Sequence, residues 1–226
     1  LGQAVTIVLW SKRFGSTGSY GNLLAIDGAS WSTTGGLLIF DWNNGSIQGR
    51  VNNELIDTET SVTFETSVPN NVWRHYALVW DRPVLKAYTN GVEVDSTTWD
   101  YNIGWDIFKT EIGRWSTRYF YGIIDEVRIY NRALTAEEIQ HLYQYGYLEN
   151  ETGLVLYLPF HDGEAVDYSP YGNDGTVYGA TMDDGYSGVT SVPYKYRGWS
   201  AASFDGTDDY AEASLNMSDL IANKAF

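Results

Sequence analysis

Carboxylates are the first residues in this chain with the chemistry to act, and their spacing limits what they can do. Splitting a glycosidic bond takes two carboxyl groups flanking the sugar oxygen, which on one face of a strand means a spacing of two or four residues. Asp125-Glu126 and Asp208-Asp209 are adjacent, so in a regular strand each pair divides between opposite faces. Asp205 and Asp209 have a permissive spacing, but Gly206 between them suits a turn equally well. No catalytic residue is assigned, and the chain is not expected to be an enzyme. The three histidines, His75, His141 and His161, fall in a strand, a helix end and a loop without metal-ligand spacing. The Gly-rich segments lack a phosphate-loop lysine and a strand-to-helix setting, so nucleotide binding has no support.

Calcium asks less of geometry, taking several oxygens from carboxylates, amides and carbonyls on an irregular loop. Asp167, Asn173 and Asp174 supply such ligands in one Gly- and Pro-bounded loop, and Asp125, Asp205, Asp208 or Asp209 could join them in the fold. The competing role for Asp and Asn there is turn formation, each bonding its own backbone. Nine Trp and eighteen Tyr exceed what a core of this size requires. Trp31, Trp42, Trp99, Trp105, Trp115, Tyr119 and Tyr121 fall in or beside loops, where rings stack on sugar faces or bury at interfaces. Asn44, Asn150 and Asn216 head acceptor-type sequons. These fit a glycosylated exterior, or chance in an Asn- and Ser-rich sequence.

The bulk numbers bound the partners. A chain of 226 residues makes one large β-sandwich or two small domains. With 29 acidic against 14 basic residues, the net charge of −15 repels phosphate backbones and anionic headgroups. Nucleic acid and membrane insertion are therefore not expected; divalent cations, and surfaces bridged by them, fit such a surface better. Cysteine is absent, so disulfides and thiolate chemistry do not enter. No apolar run reaches membrane-spanning length, and LGQAVTIVLWSKR at the start is too short, with the wrong charge order, for a secretion signal. The expectation is a mature or trimmed chain at an extracellular surface.

The elements that must position these residues read mainly as strands. Val5 to Trp10 is apolar on both faces, as a strand buried in a sandwich would be. Leu37 to Trp42 and Ser46 to Val51 form a hairpin through Asn43, Asn44 and Gly45. Leu85 to Thr89 and Val92 to Val94 form another through Asn90-Gly91, the strongest two-residue turn signal present. In Gly122 to Tyr143, GIIDEVRIYNRALTAEEIQHLY, an alternating strand runs into a helix whose Thr135 and Glu138 make a capping box, flanked by Leu134 and Ile139 as a hydrophobic staple.

That last stretch resembles the C-terminal signature of laminin-G-like, concanavalin A-like jelly-roll domains, G-x-I-D-E-V-R-I-Y-N-R-A-L-[ST]-x-x-E-I. Trp73 to Asp81, WRHYALVWD, is similar to the family's W-x-H-x-A-x-V-x-D strand, and Leu85 to Val94 to its L-x-x-Y-x-N-G-x-x-V hairpin. The resemblance implies an all-β jelly-roll sandwich of two antiparallel sheets with one short helix, often holding calcium. The E-x-D-x-x-E string of the family-sixteen glucanases is absent.

The family's opening elements appear here after the signature, as GLVLYLPF (Gly153 to Phe160), DYSPYGNDG (Asp167 to Gly175) and SFDGTDDY (Ser203 to Tyr210). Residues 1–148 then form the main part of the sandwich. Residues 149–226 carry strands that complete the same sandwich by circular permutation, complete a neighbour's by exchange, or belong to the next domain of a tandem array. The expected function is an extracellular structural or adhesive module that assembles into a homopolymer or surface layer by exchange of its C-terminal segment. The alternative is a calcium-assisted carbohydrate-binding module.

Overall fold

A computed structural model describes residues 4–16, 18, 20–27, 36–53, 58–101, 103, 108–160, 164–183, 200–215 and 220. Trp31, Trp105, His161 and Asn216 lie outside the described residues. The first half comprises β1 (Ala4–Arg13), β2 (Gly21–Asp27), β3 (Gly36–Asp41), β4 (Ile47–Asn53), β5 (Thr58–Glu65), β6 (Trp73–Asp81), β7 (Val84–Thr89), β8 (Val92–Thr98) and β9 (Phe108–Ile112). There follow β10 (Arg114–Trp115), β11 (Arg118–Tyr119), β12 (Tyr121–Tyr130), α1 (Ala136–Tyr145), β13 (Leu154–Leu158), β14 (Gly175–Tyr178), β15 (Thr181–Asp183), β16 (Ala201–Asp205) and β17 (Tyr210–Leu215). The fold is an all-β jelly-roll sandwich of two antiparallel sheets.

The first sheet runs β15-β16-β12-β1-β6-β7-β8, and the second β14-β17-β9-β2-β3-β4-β5. The strands after α1 enter both sheets of this chain: β13 and β16 pair with β12, and β17 pairs with β9. β16 takes residues 121–124 of β12 and β13 takes residues 127–130, so the two share one edge of that long strand.

Between the sheets lie Ile7, Leu9, Leu24, Ile26, Leu37, Ile39, Tyr76, Trp80, Phe120 and Phe204, among others. β1 is buried on its outer side as well, because α1 covers that side: Val8, Ala77, Val79 and Tyr88 pack with Leu134, Ile139 and Leu142. Each of these aliphatic side chains contributes about 1.5–3 kcal/mol when fully buried. The helix begins as its sequence indicates, with Thr135 Oγ1 accepting from the Glu138 amide at 3.2 Å and the Glu138 carboxylate accepting from the Thr135 amide at 2.8 Å. It ends at Gly146, left-handed at φ 74°, whose amide donates to Leu142. The Asn90-Gly91 turn has φ 51° and 81°, the double left-handed geometry of a type I′ hairpin. A Cβ on Gly91 would press on Gln140 and Tyr143 of α1 at 3.2 Å, so the turn and the helix are fitted to each other.

One feature of β12 departs from simple alternation. Ile124 and Val127 both face the core although three residues apart, and the pairing with β1 slips between Val8 and Trp10. Glu126 takes φ 53°. A bulge therefore sits at Asp125-Glu126, and it turns both carboxylates to the outer side of the sheet instead of dividing them between faces.

Candidate functional site

The outer face of the second sheet is built by the residues that alternate with its core positions. In β3, Leu37 and Ile39 face inward while Leu38 and Phe40 face outward. Register carries that side across the sheet, with Asn22 opposite Phe40, Ala25 opposite Leu38 and Arg50 opposite Leu38. The small hairpin β10–β11 branches from the end of β9 and returns to pair Tyr119 with Asn22, bringing Trp115 and Arg118 to the same place. The result is a groove of about 370 Å³ lined by Tyr20, Asn22, Leu38, Phe40, Trp42, Arg50, Trp115 and Arg118.

Aromatic rings form most of its wall. Tyr20 and Trp42 stand 5.0 Å apart between centroids, and Phe40 meets Trp42 edge-on at 5.4 Å. The Arg118 guanidinium lies 3.9 Å above the Tyr20 ring and 4.8 Å from Trp115, while that of Arg50 lies 5.1 Å from Phe40. Such stacking fixes a guanidinium by its face and leaves its in-plane N–H fork for another partner. Asn22 is 1% exposed, and its Nδ2 has no hydrogen-bond partner; Arg50 Nε is likewise buried and unpartnered. Arg50 also pairs with Glu59 at 2.9 Å through Nη1.

Beside the groove the same face carries a closed charge network. Lys109 bridges Glu111 and Glu212 at 3.2 and 2.7 Å, and Arg114 pairs with Glu111 and lies 3.3 Å over Tyr210, which stacks on Tyr178 at 4.4 Å. A second hollow of about 380 Å³, lined by Arg13, Asn44 and Asn70 among others, is polar. There Arg13 already donates to Asp41 at 2.9 Å and to Asn70 at 2.7 Å.

Of the seven aromatic candidates from sequence, Trp42 and Trp115 enter the groove, whereas Trp99 is buried in the core. Tyr119 borders it through its pairing with Asn22. Tyr20, Asn22, Arg50 and Arg118 were not singled out from sequence. The signal that could have found them is the apolar run Leu37 to Phe40 of β3, whose outward Leu38 and Phe40 need cover from neighbouring strands.

The carboxylates proposed for calcium are divided among three places. Asp167 Oδ1 accepts from the Tyr157 and Ser169 amides at 2.8 and 2.9 Å, and Oδ2 from Ser169 Oγ and the Asn173 amide at 2.6 and 2.7 Å. Those four donors match the four lone-pair sites of a carboxylate. Asn173 donates to the Val155 carbonyl, and Asp174 accepts from the Asp167 amide. The loop as folded thus spends these oxygens on its own backbone. Asp125 is fully buried on β12. Among the described residues, only Asp205, Asp208 and Asp209 bring three potential acidic or imidazole ligands together, within 4.8 Å. Burial pushes the Asp209 carboxyl upward, and the Asp205 and Asp208 charges add to that.

Glu126, like Asp125, is 0% exposed. It pairs with Arg128 at 2.7 Å and accepts from the Tyr157 hydroxyl at 3.1 Å, while Arg128 Nη2 donates to the Gly146 carbonyl at 2.8 Å. The signature strand thereby ties its bulge to the C-terminal end of α1. Asn44 and Asn150 are exposed, and each accepts from the residue two positions on, Ser46 and Thr152.

No curated protein matches this sequence. Several solved structures share the fold. A heptameric SAP-like pentraxin from Limulus polyphemus has a TM-score of 0.50 at 13% identity, over 68% of this chain and 76% of that one. The CBM40 of a Ruminococcus gnavus IT-sialidase, bound to α2,3-sialyllactose, has 0.52 at 18% identity, over 62% and 83%. A candidate carbohydrate-binding protein from Bacteroides ovatus has 0.52 at 17% identity, over 95% of this chain and 54% of that one. A family model described as the concanavalin A-like lectin/glucanases superfamily matches residues 1–140. With the two-sheet jelly roll and the bulged, helix-capped strand described above, the chain belongs to the concanavalin A-like lectin/glucanases superfamily.

Proposed function

We propose that this protein is a non-catalytic binding module whose ligand is a glycan, held in the groove on the outer face of the second sheet. The observation that carries the reading is the combination of half-buried Trp42 and Trp115 with a buried amide, Asn22 Nδ2, that has no partner within the protein. An unpaired buried donor costs about 1–3 kcal/mol, a cost that a ligand oxygen would relieve. The rings offer sugar C–H faces a surface to stack on. Solved structures of similar fold include proteins described as carbohydrate binding, which supports the class without naming a sugar for this chain. Glycan-array binding by the purified protein, abolished in Trp42→Ala and Trp115→Ala variants that melt normally, is the expected result. Full binding by both variants would move the site elsewhere.

Assembly by exchange of residues 153–226 is the second reading. The pairings β12–β13, β12–β16 and β9–β17 could form equally well between two chains. Against it stands the connection from β12, where the Arg128 bond to Gly146 is joined by bonds from Arg132 to Thr152 and from Tyr130 to Glu151. Opening that connection would break them. Light scattering across a dilution series checks this: a monomer at every concentration removes exchange. Calcium at the Asp205, Asp208 and Asp209 turn would appear as a melting temperature that falls on chelation.

A further inference from the structure

The polar groups lining the groove are unequal in kind. A neutral sugar hydroxyl both donates and accepts, so a site built for neutral sugar needs acceptors for hydroxyl protons as well as donors. Among the described residues the lining includes no carboxylate; its acceptors are the Tyr20 hydroxyl and the Asn22 amide oxygen, and its donors include Asn22 Nδ2, Arg50 Nε and the guanidinium of Arg118. Arg13, Arg50, Arg74, Arg82, Arg114, Arg128 and Arg132 each pair with an acidic side chain. Among the described residues Arg118 alone of the arginines has no such partner. It is held instead by the faces of Tyr20 and Trp115. In a chain of net charge −15, a donor-rich groove around an arginine with no acidic partner among the described residues is a local exception with a definite chemistry.

We propose that the groove takes a glycan bearing a single carboxylate, such as a uronic acid or another carboxylated terminal sugar, whose carboxylate is bound by Arg118. This rests on the glycan reading of the same groove. A carboxylate accepts and does not donate, which suits a lining richer in donors than in acceptors, and it matches the guanidinium fork in a bidentate pair. Asn22 and Arg50 supply donors to the ring or its substituents. The rest of the surface sets the upper limit on ligand charge. At physiological salt, charges are screened beyond roughly 8 Å, so one anion in contact with Arg118 escapes most of the repulsion, whereas a polyanionic chain lies across it. Sulfated polymers are therefore excluded from the proposal.

The test is a glycan array carrying neutral, uronate-terminated, sialylated and polysulfated oligosaccharides, followed by calorimetry with the best carboxylated binder and its carboxamide. Carboxylated glycans should lead the array, and the acid should bind at least about tenfold more tightly than the amide. Arg118→Gln should erase that difference, the acid losing at least about tenfold more affinity than the amide. Equal affinity for acid and amide, or array signals led by neutral or polysulfated glycans, would overturn the proposal and leave a glycan site of another specificity. Absence of binding to every class on the array would instead sink the glycan reading on which the proposal rests.

Discussion

On the outer face of the first sheet, Arg128 lies 3.9 Å over the Tyr157 ring, pairs with buried Glu126 and donates to the end of α1. On the outer face of the second sheet, Arg118 lies at the same 3.9 Å over the Tyr20 ring, and among the described residues no helix covers it and no carboxylate pairs with it. The local arrangement of guanidinium on aromatic ring is common to both. What separates them is the cover. Under α1 every strong charge must find its partner inside the protein, because water is not there to serve it. In the open groove the same pair can leave its fork to solvent until a ligand arrives. An arginine stacked on an aromatic ring is thus evidence of a binding site only where its anion is missing.

The comparison can be broken by substitution. Arg128→Met leaves Glu126 buried and unpaired, and should cost about 3–5 kcal/mol in urea denaturation. The double variant Glu126→Gln/Arg128→Met should recover much of the loss. A cost under 1 kcal/mol would mean that the closed face is not held by its ion pair. Asp167→Ala strips acceptors from the loop beside Tyr157 and should cost about 2–3 kcal/mol. If the loop's oxygens serve the backbone, that cost is the same with and without a chelator; a cost present only in calcium would make Asp167 a metal ligand.

His75 sharpens the same contrast through pH. It is buried against Trp10 and Tyr143, and burial, with the Arg128 charge adding, lowers its pKa from 6.5 to about 3. The unfolded chain binds this proton below pH 6.5 and the folded chain only near pH 3. Stability is therefore lost as pH falls through that window, by at most about 1.4 kcal/mol per pH unit. His75→Phe should flatten this part of the acid limb in a pH series of thermal melts; an unchanged slope would assign the limb to other groups. The smallest effect belongs to the open face. Arg118→Ala should change stability by less than about 1 kcal/mol, and a larger loss would show that Arg118 is structural after all.

Much of the closed face was legible in sequence because its signals are local. The Thr135–Glu138 cap, the Leu134–Ile139 staple and the Asn90-Gly91 turn each depend on neighbours within a few residues, and all three form. The bulge at Asp125-Glu126 was not legible. Its cause is the slipped pairing with β1 at Val8 and Trp10, more than a hundred residues away, and unbroken alternation was the natural reading. The open groove was half legible for a similar reason. Trp42 and Trp115 stand out as aromatics near loops, but Asn22, Arg50 and Arg118 acquire meaning only when β2, β4 and the β10–β11 hairpin are laid side by side. Asp167, Asn173 and Asp174 have the composition expected of either a calcium loop or a set of turns, and only their hydrogen-bond directions distinguish the two.

The central position of β1 has a consequence for the order in which the molecule can form. Thr6 pairs with Val79 on one side and with Tyr130 on the other, so the strand stays unpaired along one edge until β12 has been made. At ribosomal rates of about 5–20 residues per second, that is a wait of roughly 6–25 seconds. Through it, a segment apolar on both faces keeps at least one edge without its partner. Contacts this distant in sequence also make spontaneous refolding slow. Recovery of active protein from denaturant should therefore depend on dilution, with the nascent first strand the segment that most needs shielding from other chains.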